Sequence, residues 1–66
     1  MLLINNRDRI PWTEGITVSD VLIVMKYDYA LITVFINDAL VAEEEYDTTT
    51  IPDHANVLVI HLAHGG

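Results

Sequence analysis

The sequence ends in Gly65-Gly66, shortly after an apolar segment, and this pair is its strongest chemical signal. A main-chain carboxylate behind two glycines is a reactive group that needs no side chain around it. Without Cβ atoms, the last peptides can lie flat in a narrow slot and take backbone angles that other residues avoid. From the end of a strand, Ala63-His64-Gly65-Gly66 reaches roughly 13 Å at about 3.3 Å per residue, far enough to enter a partner's active site. The competing reading is a frayed chain end built of small residues.

Other chemistry is thinner. The chain has no cysteine, which excludes a disulfide scaffold, a thiolate metal site and a cysteine nucleophile. His61 and His64 stand three apart, and strand alternation sends such a pair to opposite faces, so no metal site is assigned. No Ser/His/Asp arrangement, phosphate loop or paired acid has usable spacing. No catalytic residue is assigned, and an enzyme reading has no positive support. The 66 residues carry 3 Lys/Arg against 10 Asp/Glu, a formal charge of −7, with 52% hydrophobic residues. A chain of this size buries only about 60% of the surface its unfolded form exposes, which leaves little volume for an enclosed active site. Its acidity argues against nucleic acid, whose phosphates reward Lys and Arg. The longest apolar run, Val21 to Met25, falls far short of the roughly 20 residues of a membrane span, and the start lacks signal-peptide features. The expectation is a cytoplasmic domain, binding neither nucleic acid nor membrane, that acts by meeting something larger.

The elements that must position the tail follow from pattern. Met1 to Ile4 and Arg9 to Thr13, around Asn5-Asn6-Arg7-Asp8, read as a hairpin, with an open edge at Pro11. Thr17 and Asp20 form a candidate capping box, and Val18, Val21, Leu22 and Met25 fall on one helical face. The β-branched residues of that stretch make a strand the competing assignment; cap and spacing favour the helix. Ala30 to Ile36 predicts a buried strand, Leu40-Val41-Ala42 a short one, and Val57 to Leu62 the last. Glu43 to Thr50 is expected to be irregular, with room for one helical turn. Trp12 and Tyr46 read as hydrophobic closures at the sheet edge. The order predicts an α+β fold of the β-grasp, ubiquitin-like type: a mixed sheet of four to five strands and one main helix. Residues 1–62 are expected to form the domain and 63–66 a flexible diglycine tail.

With these elements placed, the sequence resembles a family. Gly15-Ile16-Thr17-Val18 is similar to the Gly-x-Thr-Val/Leu signature of the ThiS/MoaD-type sulfur carriers, and Ile36-Asn37-Asp38-Ala39-Leu40-Val41 to their Ile/Val-Asn-Gly-x-x-Val turn. Asp53 to Val57 stands where that family has an Asp-Gly-Asp turn, and Gly65-Gly66 matches its terminal pair. The compact length resembles the thiamine-pathway branch, ThiS, more than the molybdopterin-type carriers. The resemblance implies a carrier rather than an enzyme, with Gly66 as the point of sulfur attachment and Ala63, His64 and Gly65 as the tail that partners recognise. It implies a ThiF-type adenylating enzyme that uses ATP, a sulfur donor such as a cysteine desulfurase, and a thiazole synthase of the ThiG type as acceptor. The carrier itself would bind no cofactor. A carboxylate is a poor electrophile and its mixed anhydride with AMP a good one, which is why the ATP step is needed. Rivals are a carrier for molybdopterin or sulfur amino-acid synthesis, a protein modifier that joins Gly66 to lysines, and a plain interaction module.

The chain also departs from the family. The turn glycine expected within Asp53 to Asn56 is replaced by His54 or Ala55, and the frequent Pro-Arg after the short strand is Ala42-Glu43, continuing as Glu44-Glu45. That acidic stretch reads either as a solvated face or as a contact for a basic partner surface. Phe35 is expected on the strand's second face with Val57, Val59 and His61, either covered by loops or exposed as the partner-docking patch beside the tail. Docking is the reading adopted.

Overall fold

A computed structural model describes residues 1–27 and 31–61 of the chain. Strand β1 (Leu2–Ile4) already shows the alternation of a sheet with one covered face: Leu2 and Ile4 are fully buried and Leu3 between them is not. Asn5 and Asn6 turn the chain in left-handed conformations (φ 55° and 58°), which asparagine tolerates better than most residues. Strand β2 (Asp8–Ile10) returns antiparallel, with Leu2 opposite Ile10. It stops before Pro11, short of the Thr13 expected from sequence, because proline has no N–H to extend a ladder. Trp12 instead folds back and donates its indole N–H to Ile51 O at 2.7 Å.

Helix α1 (Val18–Met25) is built on the predicted capping box. Asp20 N–H donates to Thr17 Oγ1 at 3.2 Å, and Thr17 N–H donates to Asp20 Oδ2 at 3.0 Å. Val18 and Ser19 would otherwise leave their N–H groups unsatisfied; they donate to Thr49 O and Tyr46 O at 3.2 and 3.0 Å, docking the helix start on the 46–51 loop. These bonds, with Val18, Val21 and Leu22 buried, outweigh the low helix propensity of the β-branched residues. Lys26 ends the helix in a left-handed conformation, and Tyr27 N–H reaches back to Leu22 O at 2.9 Å, the 6→1 bond of a Schellman turn.

Strand β3 (Ile32–Ile36) and strand β4 (Ala39–Val41) are joined by Asn37-Asp38, both at positive φ, the pattern of a two-residue type I′ turn. The predicted Leu40–Ala42 strand therefore lies one residue earlier. A single 3-10 turn, Glu43–Glu45, leads to the buried Tyr46. His54 takes the positive φ (64°) of the turn where the family has glycine, and its N–H donates to Asp53 Oδ1 at 2.8 Å. Strand β5 (Asn56–His61) follows. The sheet order is β2-β1-β5-β3-β4, with β1 and β5 parallel and the other pairs antiparallel. One helix against a five-stranded mixed sheet is the expected β-grasp. Among the described residues, no helix is long and apolar enough to cross a membrane.

The register corrects one expectation. Opposed residues of an antiparallel pair share a face, and β5 sets Val57 opposite Ile36, Val59 opposite Val34 and His61 opposite Ile32. Val57 and Val59 therefore belong to the core, at 2% and 5% exposure, and do not accompany Phe35. Leu58 is the residue opposite Phe35. Alternation within each strand is legible in the sequence; which phase of β5 meets which phase of β3 depends on long-range pairing that no local pattern specifies.

Candidate functional site

The anticipated sulfur-attachment and tail residues Ala63, His64, Gly65 and Gly66, with Leu62 before them, lie outside the described residues. The described part of the site is the strand that leads to them and the sheet face it shares. β5 is central in the sheet, paired with β1 over Asn56 and Val57 and with β3 from Val57 to His61.

On the face away from α1, the register aligns Leu58, Phe35 and Leu40 in one row across β5, β3 and β4, and Ile60 with Thr33 in the next row toward His61. Leu40, Leu58 and Ile60 are 66%, 39% and 40% exposed, and Phe35 is half-buried between them. A shallow cavity of about 100 Å³ opens beside Phe35 and Leu58, edged by Asn6, Asp38 and Asn56. Grouped, exposed apolar side chains are a feature that protein-binding faces share. Phe35 is thus on the exposed face as expected. Leu58, Ile60 and Leu40 are the companions that sequence reasoning missed. One signal for Leu40 was available: a two-residue turn at Asn37-Asp38 forces Phe35 opposite Leu40.

Charge is divided unevenly around this face. All three Lys/Arg residues, Arg7, Arg9 and Lys26, belong to the first 26 positions, and none follows. The β4 side instead carries Asp38, Glu43, Glu44, Glu45 and Asp47, all exposed. Burial pushes the Tyr46 phenol above its ordinary pKa, and the nearby Glu43 carboxylate adds to the shift. That side of the molecule is electrostatically suited to a basic surface. Among the described residues, no group of three or more His, Cys, Asp or Glu could hold a metal ion.

His61 is exposed, but not beside Phe35. It lies at the end of β5 with its ring edge-on to Tyr27, centroids 5.5 Å apart and planes at 86°. The apolar groove of about 420 Å³ formed by Ile10, Pro11, Ile16, Ile23 and Val24 involves the helix and β2, not β5.

Three comparisons bear on this arrangement. The model of the family described as the ThiS family matches residues 3–66. The crystal structure of a thiamine biosynthesis protein (ThiS) from Geobacter metallireducens is similar at a TM-score of 0.78 and 27% identity, covering 98% of this chain and 97% of that one. An NMR solution structure of a thiamine biosynthesis protein from the same organism is similar at a TM-score of 0.77 and 25% identity, covering 98% of this chain and 86% of that one. No curated protein matches the sequence.

Proposed function

The chain belongs to the ThiS family, and we propose that it is a sulfur carrier of thiamine biosynthesis whose Gly66 carboxylate is converted to a thiocarboxylate. The observation that carries this reading is the family match running through residue 66, which takes in Gly65-Gly66. In the proposed sequence, a ThiF-type adenylating enzyme binds the chain and the Gly66 carboxylate attacks the α-phosphorus of ATP, releasing pyrophosphate. Persulfide sulfur from a donor such as a cysteine desulfurase then displaces AMP to form an acyl disulfide, and a second thiol cleaves this to the thiocarboxylate, leaving as a disulfide with the donor cysteine. A ThiG-type thiazole synthase takes the sulfur from the resulting thiocarboxylate.

The exposed row Leu58, Phe35 and Leu40, with Ile60 beside it, supports a docking role for the outer sheet face. The acidic flank from Asp38 to Asp47 favours partners with Lys or Arg at the matching edge, so encounter is electrostatically steered and slows as salt rises. The substitution of Ala42-Glu43 for the family's Pro-Arg puts a negative group where the partner would ordinarily meet a positive one.

The test is intact-mass spectrometry after incubation with the adenylating enzyme, ATP and a sulfur donor. The expected product carries one oxygen-to-sulfur replacement, and the same chain lacking Gly66 stays unmodified. Isopeptide adducts on lysines would select the protein-modifier reading, and an unchanged mass would leave an interaction module. Transfer of sulfur to molybdopterin synthesis rather than thiazole formation would keep the chemistry and replace the pathway.

A further inference from the structure

Strand β1 runs alongside β5 only as far as Val57: the parallel register pairs Leu3 with Asn56 and Ile4 with Val57, and Asn5 then turns away in a left-handed conformation. The second half of β5, the half that leads to the tail, continues past the end of its neighbour. Asn5 makes up for this. Its N–H donates to Val57 O at 2.8 Å, and its Oδ1 accepts from Val59 N–H at 2.7 Å, so one side chain adds a ladder bond beyond the end of β1. Its Nδ2 donates to Tyr27 Oη at 3.3 Å, and the Tyr27 ring meets His61 edge-on. Tyr27 is itself pinned by its main-chain bond to Leu22 in the Schellman turn. A chain of contacts thus runs from the buried helix through Tyr27 to Asn5, Val59 and His61. Val59 belongs to the core and Tyr27 packs against it, but the Asn5 side chain fills no core space, and its bonds serve only to hold β5.

We propose that Asn5 and Tyr27 are positioning residues: a latch on the free edge of β5 that fixes the point and direction from which the tail leaves the sheet. The proposal rests on the carrier reading, because only a tail aimed into a partner's active site gains from a fixed origin. A displacement of about 1 Å at the reacting centre is enough to cost up to a hundredfold in rate. Asn5 bonds the main chain of β5 on its β1 side, opposite the β3 and β4 strands that carry Phe35 and Leu40, so its proposed role is presentation of the carboxylate and not docking.

The experiment is carrier-dependent exchange of radiolabelled pyrophosphate into ATP by the adenylating enzyme, with the full chain as the varied substrate. Asn5→Gly keeps the left-handed backbone and removes the side chain. Tyr27→Ala removes the ring and Tyr27→Phe only the hydroxyl. Asn5→Asp retains an acceptor for Val59. Asn5→Gly and Tyr27→Ala are expected to lower kcat about tenfold with KM within twofold, Tyr27→Phe less, and Asn5→Asp to restore most of the rate. Thermal melting identifies a variant that fails to fold, in which case Tyr27→Phe and Asn5→Asp decide. A loss confined to KM, an unchanged kcat, or an Asn5→Asp as impaired as Asn5→Gly would overturn the latch alone. Absence of exchange with the unsubstituted chain overturns the carrier reading, and the latch with it.

Discussion

Successive residues of β5 live in different environments. Val57 and Val59 point into the core at 2% and 5% exposure, while Leu58 and Ile60 look outward at 39% and 40%. All four are aliphatic, so composition hardly distinguishes the two faces. The inner face meets Val34 and Ile36 across the strand and lies in the same core as Val18, Val21 and Leu22 of the helix. The outer face meets Phe35 and Thr33 and then solvent. The same strand therefore does two jobs with alternate residues: one set holds the sheet to its helix, the other remains available to a partner. A hydrophobic residue on the outer face adds little to stability and, in the proposed reading, serves recognition.

The sharpest way to break this contrast is to make one substitution on both faces. Ile4→Ala, in the fully buried inner layer, is expected to cost about 2–5 kcal/mol, a large part of the stability of so small a domain. Ile60→Ala should cost less than about 1 kcal/mol. Denaturant titration of the two variants reads the difference; equal costs would mean that the outer face is packed as tightly as the core.

The converse test is of binding. Leu58→Ala should weaken the dissociation constant for the adenylating enzyme roughly tenfold, about 1.4 kcal/mol, and leave the melting temperature nearly unchanged. Calorimetric titration at fixed salt measures it. Unaltered affinity would move the docking surface elsewhere.

The smallest effect concerns a contact on neither face. The Met1 ammonium donates to Asp53 Oδ1 at 3.1 Å, and the His54 N–H joins it. The ammonium bond is the main reason the Asp53 carboxyl titrates below its ordinary value. A lowered folded pKa contributes stability above the unfolded value near 4, and this is lost as pH falls through the folded value. Asp53→Asn should accordingly melt slightly lower than the unsubstituted chain at about pH 7, with the gap closing toward about pH 3. A gap that persists in acid would assign the effect to turn geometry rather than charge. The exposed setting of this pair keeps the effect small.

Much of this is legible in the sequence. Thr17 and Asp20 announce the helix because a capping box is a local hydrogen-bond pattern, and Asn37-Asp38 announces the hairpin because few residue pairs accept positive φ. Of His54 and Ala55, the two residues that could stand in for a turn glycine, it is His54 that takes the positive φ. The docking set was only partly legible. Alternation puts Phe35 on the outer face of β3, but it cannot say whether Val57 and Val59 or Leu58 and Ile60 join it, because β3 and β5 are some twenty residues apart in sequence and nothing local fixes their phase. The latch was invisible for a related reason: Asn5 and Val59 lie at opposite ends of the chain, and an asparagine in a turn ordinarily signals only the turn.

By itself, the sequence determined the succession of elements, the helix cap, the turns and the diglycine end, all of which rest on interactions among near neighbours. Tertiary structure alone decided which face of β5 is buried, which apolar residues share Phe35's surface, and how the far half of β5 is held beyond the reach of β1. Those are matters of register between distant strands. A shift of a single residue there exchanges core for surface along the whole strand.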